Sequence, residues 1–171
     1  LEDFLGRAFE SGAVSDGVIA QSGDQAARLW ALRENISEAQ KIDGVSVKHD
    51  IALPISRLPD FVDAADAALE AAYPGVRIVT FGHVGDGNLH YNQSMQQAAE
   101  NAEFLRHERA VNALVHDLVQ HFGGSISAEH GIGQLKRDEL VRYKSPVELE
   151  LMRSIKRALD PQGLMNPGKV L

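Results

Sequence analysis

Hydrophobic and polar positions along this chain switch between two periods, three to four residues in some stretches and two in others. Helices are therefore expected to interleave with strands. Phe4, Leu5, Ala8 and Phe9 form a helical stripe that ends near Gly12. Val14 to Gln21 reads as a strand centred on Val18-Ile19-Ala20. Ser22 is placed to cap a helix over about Gly23 to Ala39, with Ala26, Leu29, Trp30, Ile36 and Ala39 inward. After the Asp43-Gly44 turn, Val45 to Leu53 alternates as a strand and stops at Pro54. Its apolar row holds Val45, Val47, His49, Ile51 and Leu53, while Ser46, Lys48 and Asp50 share the opposite face.

Pro59 suits the first turn of the next helix, whose stripe is Val62, Ala65, Ala68, Leu69 and Ala72, ended by Pro74-Gly75. Val76 to Phe81 and Asn88 to Gln93 read as two strands of a hairpin. The longest predicted helix covers about Gln97 to Phe122, with Phe104, Leu105, Val111, Leu114, Val115, Leu118, Val119 and Phe122 facing inward. His107, His116 and His121 on it have no carboxylate at ligand spacing and read as partly exposed. Ser145-Pro146-Val147-Glu148 is a capping box that starts a helix to about Leu159, burying Val147, Leu151, Met152, Ile155 and Leu159. An irregular tail follows. The hairpin argues against a purely parallel sheet, so the expected fold is α+β, a mainly antiparallel sheet covered by helices.

Composition narrows the chemistry. A chain of 171 residues is expected to form one domain with a real core. A net charge of -7 argues against nucleic-acid binding. The absence of cysteine excludes disulfides, thiolate metal sites and thiol catalysis. No apolar run approaches the ~20 residues of a membrane span. The start at Leu1, without an initiator Met and inside a predicted helix, leads to the expectation of a piece of a longer protein.

The stretch Gly82-His83-Val84-Gly85-Asp86-Gly87-Asn88-Leu89-His90-Tyr91-Asn92 sets two histidines around a glycine-rich turn. A hairpin there brings His83 and His90 together from neighbouring strands, with Asn92 on the face of His90 and Asp86 as a turn former. Ser127-Ala128-Glu129-His130-Gly131 supplies a carboxylate and another imidazole. A His/His/Glu set with an open position suits zinc or a similar divalent ion. His130, beside Glu129, carries the side-chain type most used as a general base near neutrality. By themselves Arg33 and Lys48 read as solvated charges. From the residues alone, a metal-dependent hydrolase and a non-catalytic metal-binding module both stay open. Gly82-x-x-Gly85-x-Gly87 is not a dinucleotide fingerprint, and no P-loop, Gly-x-Ser-x-Gly or His-Glu-x-x-His occurs.

Together with Asp160-Pro161-x-Gly163-Leu164-Met165-Asn166-Pro167-Gly168-Lys169, these motifs resemble the C-terminal domain of FAD-linked oxidases. That family includes D-lactate dehydrogenase, the glycolate oxidase flavin subunit and D-2-hydroxyglutarate dehydrogenase, and the resemblance runs over essentially the whole chain. It implies a ferredoxin-like α+β fold and a single substrate or cap domain over residues 1–171, completed by a separate FAD-binding domain of the same polypeptide. It also implies oxidation of a small D-2-hydroxy acid to the 2-oxo acid, with hydride passing to FAD. Carried over residue by residue, His83, His90 and Glu129 match metal ligands, usually zinc, and His130 matches the base. Asn92, Arg33, Ser37 and Lys48 match substrate contacts, Ser37 standing where Thr is common, and Asn166 matches a residue at the flavin edge. Arg33 with Lys48 leans towards a dicarboxylic substrate such as D-2-hydroxyglutarate or D-malate, with D-lactate open. The expected location is cytoplasmic, or the mitochondrial matrix in a eukaryote, and a homodimer is left open as the assembly.

Overall fold

The computed structural model describes residues 1–171, which form two compact units, residues 1–44 and 45–171. The first unit is helical: α1 (Glu2–Glu10), α2 (Gly23–Glu34) and α3 (Ile36–Asp43). Ser22 caps α2 as expected, its hydroxyl accepting from the Gln25 N–H. The expected single helix to Ala39 instead divides at Asn35, whose φ of -84° and ψ of 1° leave the helical region. The strand expected over Val14 to Gln21 does not form. These residues pair with no strand, and Val18 stands 78% exposed. The inward face assigned to Leu29 and Trp30 is likewise exposed, and no residue of α1, α2 or α3 is buried.

The second unit runs β1 (Val47–Ala52), α4 (Leu58–Ala72), β2 (Val76–Phe81), β3 (Asn88–Met95), α5 (Ala98–Leu105), α6 (Glu108–His121), α7 (Arg137–Tyr143) and α8 (Pro146–Leu159). Its sheet has the order β1-β3-β2, antiparallel throughout. With α4 between β1 and β2, and β3 inserted between those strands, this is the split β-α-β arrangement of ferredoxin-like folds. A single antiparallel bridge, Ala52 to Ser125, lies outside the named strands. The segment after α6 thus takes, by one bridge, the place beside β1 where such folds carry a fourth strand. The α+β expectation holds.

Strand alternation divides the sheet into two chemically different faces. One carries Val47, Ile51, Leu53, Leu89, Tyr91 and Val76 into a core with Leu58, Phe61, Ala65 and Leu69 of α4, Phe104 of α5 and Val111, Val115 and Val119 of α6. The opposite face carries Lys48 and Asp50 of β1, and their register partners on β3 are Asn92 and His90. Val45, expected in the apolar row, lies before β1 and is exposed.

Three further expectations change. The predicted helix over 97–122 breaks at Arg106-His107, where N–H groups bond three residues back, because α5 packs on β3 while α6 packs on β1 and α4. His116 is not partly exposed: it is 1% exposed, and its Nδ1 contacts the Glu139 carboxylate, brought from α7. Helix α8 keeps its capping box, yet Val147, Leu151, Ile155 and Leu159 point to solvent and only Leu149 is buried. The period was right and the covered face was not.

Candidate metal and substrate site

His83 leaves the end of β2 and precedes a 3-10 turn, Val84–Asp86, so the expected tight hairpin is a slightly longer link. The His83 carbonyl accepts from the N–H groups of Asp86 (2.9 Å) and Asn88 (3.2 Å), which closes the turn. Asp86 acts there as a turn residue. Gly87 ends it at φ 72°, and a Cβ at that position would strike the Leu53 carbonyl oxygen, so only glycine fits. The chain then enters β3, which sets Asn88, His90 and Asn92 on one face.

Glu129 and His130 arrive from the other side of β1. Ala52 and Ser125 exchange both backbone hydrogen bonds, at 3.0 and 2.7 Å, and the Ala128 N–H bonds the Asp50 carbonyl. Strand β1 therefore lies between the strand that carries His90 and the segment that carries Glu129.

The side chains converge. His83 Nε2 is 4.0 Å from Glu129 Oε1, and His90 Nε2 is 3.9 Å from Glu129 Oε2. The Asn88 side-chain amide donates to Glu129 Oε1 and holds the carboxylate in this position. The His90 and His130 rings lie 5.8 Å apart. Asp50, side chain 1% exposed, sits beneath them, 3.9 Å from His90 Nδ1 and 3.8 Å from His130 Nδ1. Its Oδ2 accepts backbone N–H bonds from Ala128 (3.2 Å), Glu129 (2.8 Å) and His130 (2.8 Å). Burial alone would raise the Asp50 pKa, but these donors and the His130 imidazole outweigh it and hold the carboxyl below its ordinary value. The ligand atoms of Asp50, His90 and His130 lie within 4.8 Å of one another.

Two imidazoles around one carboxylate, with an amide fixing that carboxylate, are a donor set suited to a divalent borderline metal. Beside them, Asn92 is buried next to His90, and Lys48 pairs with it in register on an exposed position of the same face. Arg33 lies half-buried on α2 and Ser37 exposed on α3, both in the first unit. Asn166 is an exposed tail residue at φ 46°. Sequence reasoning missed Asn88 and Asp50. The signal for both was strand parity, since each shares the face of His90 by alternation or by register.

A family model described as "FAD linked oxidases, C-terminal domain" matches residues 1–170. This chain belongs to that family. Among curated relatives it is 45% identical over 161 residues to a D-2-hydroxyglutarate dehydrogenase of Stutzerimonas stutzeri, covering 94% of this chain and 34% of that protein. It is 48% identical over 161 residues to one of Xanthomonas citri, with the same coverage. It is 42% identical over 171 residues to the mitochondrial D-2-hydroxyglutarate dehydrogenase of Arabidopsis thaliana, covering 100% of this chain and 29% of that protein. The chain thus spans about a third of the length of these relatives. No helix is long and apolar enough to cross a membrane.

Proposed function

We propose that this chain is the substrate- and metal-binding part of a flavin-dependent D-2-hydroxy acid dehydrogenase, with D-2-hydroxyglutarate as the leading substrate. The observation that carries the reading is the convergence of His83 and His90 on Glu129, with His130 next to it, in a member of the FAD-linked oxidase family. D-2-Hydroxyglutarate leads because it is named in the relatives and because its second carboxylate calls for a cation such as Lys48. The FAD-binding domain is proposed to lie elsewhere in the same polypeptide, since this chain offers the flavin one candidate contact, Asn166.

In this reading His83, His90 and Glu129 hold a divalent metal, zinc being the first choice for two imidazoles and a carboxylate. When bound, the metal supplies Lewis acidity at the substrate hydroxyl, and FAD supplies the acceptor for a hydride. The residues of this chain do the rest. Asn92 orients the bound acid, and Lys48, its register partner on the same face, holds the distal carboxylate; Arg33 and Ser37 of the first unit keep the substrate-contact roles that the family resemblance implies. His130 takes the hydroxyl proton as C2 gives up its hydrogen with the bonding pair, so the C2–O bond becomes the carbonyl of the 2-oxo acid.

The test uses the native polypeptide that carries this sequence, purified with its flavin and metal. D-2-Hydroxyglutarate, D-malate and D-lactate are added separately without oxygen. Bleaching of the flavin band by one D-acid and not by its L-form is the expected result. A flavin that no hydroxy acid reduces overturns the proposal. Lys48→Ala should raise KM for the dicarboxylic acids much more than for D-lactate.

A further inference from the structure

We infer that Asp50 is a positioning residue, the carboxylate that orients His90 as a metal ligand and ties it to the segment bearing Glu129 and His130. The inference rests on the metal reading above and adds a residue to it. Three observations carry it. First, His90 presents its two nitrogens to different carboxylates: Nε2 lies 3.9 Å from Glu129 Oε2, and Nδ1 lies 3.9 Å from Asp50 Oδ1. A ligating imidazole characteristically gives its second N–H to a carboxylate, a backbone carbonyl or water, which fixes the tautomer and the ring orientation, and Asp50 is the carboxylate beside Nδ1 here. Second, Asp50 Oδ1 is buried and has no hydrogen-bond partner. A buried carboxylate oxygen without a donor is costly, and a small movement of the His90 ring brings Nδ1–H to hydrogen-bond distance. Third, the other oxygen, Oδ2, accepts the N–H groups of Ala128, Glu129 and His130. One side chain therefore braces both parts of the donor set, His90 through Oδ1 and the Glu129 segment through Oδ2.

The same geometry brings Asp50, His90 and His130 close enough to suggest that Asp50 itself ligates the ion. The chemistry favours bracing. Oδ2 is committed to three donors, and direct ligation by Oδ1 would require His90 to bind through Nδ1, turning Nε2 of its ring away from the metal while that nitrogen faces Glu129.

The test is cobalt substitution in the native polypeptide, read by the visible d–d band, which reports ligand geometry independently of turnover. The unaltered protein is expected to bind one equivalent. Asp50→Asn is expected to bind cobalt about 10- to 100-fold more weakly, with a shifted band. Asp50→Asn that binds with unchanged affinity and spectrum overturns the brace and leaves the metal site standing. An unaltered protein that binds no cobalt overturns the metal reading and the brace with it. A second measurement needs no Asp50 variant: 15N NMR of the zinc-loaded protein, with His90 assigned through His90→Gln. The brace requires His90 bound through Nε2 with Nδ1 protonated, and ligation through Nδ1 overturns it.

Discussion

Acidification below neutrality should destabilise the second unit, and His49 is the residue that lets the effect be measured. This side chain is 2% exposed, lies edge-on to His116 with ring centroids 5.2 Å apart, and bonds the Tyr91 carbonyl through Nδ1 at 3.0 Å. Burial, then the neighbouring His116, brings its pKa down from 6.5 to about 3. Below pH 6.5 the unfolded chain therefore binds a proton that the folded chain refuses. Stability is fully present above that pH and falls as the pH drops towards the folded value. Each pH unit in the window costs about 1.4 kcal/mol per such histidine, so His49 alone should remove about 2 kcal/mol between pH 7 and pH 5.

His116, brought down to about 4 chiefly by burial, acts with the same sign. Glu139, which burial raises above its ordinary value, acts with the opposite sign. Asp50 is silent in this range, because a lowered carboxyl loses its contribution only below its unfolded pKa. The variant His49→Leu separates these groups. It leaves the Tyr91 carbonyl with a second donor, Gln93 Nε2 at 2.8 Å, so the backbone acceptor stays satisfied. Urea unfolding at pH 7, 6 and 5 is the assay. His49→Leu should lose about 2 kcal/mol less than the unaltered chain over that range. Parallel pH profiles for the two proteins would refute the assignment of a buried neutral imidazole at this position.

Two other outcomes follow from packing and backbone geometry. Phe61→Ala removes a fully buried ring that packs edge-on against Tyr91 and Phe122, and should cost about 3–5 kcal/mol in urea unfolding; a loss below ~1 kcal/mol would mean that α4 does not seal the core. Gly87→Ala places a Cβ against the Leu53 carbonyl at positive φ, and should cost at least about 1–2 kcal/mol while weakening metal binding through the displaced turn; unchanged stability and cobalt affinity would count against the geometry of that turn.

What could be read from the sequence was what local periodicity and motif chemistry encode. The alternation through Val47 to Ala52 marked β1 and put Lys48 and Asp50 opposite the apolar row, as found. The motifs at 82–92 and 127–131 picked out side chains that do converge. The failures share a cause, dependence on partners distant in sequence. Val14 to Gln21 has β-compatible residues but no strand beside it. Arg106 and His107 include no helix breaker, and the turn there exists because α5 and α6 pack on different strands. His116 is buried because Glu139, 23 residues away, reaches it. On α8 the four-residue spacing of Val147, Leu151, Ile155 and Leu159 shows that an apolar face exists, but not that this unit covers it.

Asp50 shows why the candidate site depends on the core on the other side of the sheet. A strand offers alternate residues to opposite faces, so Val47, His49 and Ile51 enter the core while Lys48 and Asp50 face the site. A one-residue slip of β1 would exchange the two sets, burying the carboxylate among aliphatic side chains and lifting His49 out of them. The register that prevents the slip pairs Lys48 with Asn92 and Asp50 with His90, and the bridge from Ala52 to Ser125 fixes the opposite edge of the same strand. Glu129 and His130 follow Ser125 closely, so they are located by that bridge and by the donors they give to Asp50. The apolar packing of Ile51 and Val47 therefore does more than stabilise the unit. It holds the register from which the positions of His90, Asp50 and Glu129 follow, and a substitution that loosened that packing would spread these side chains without touching any of them.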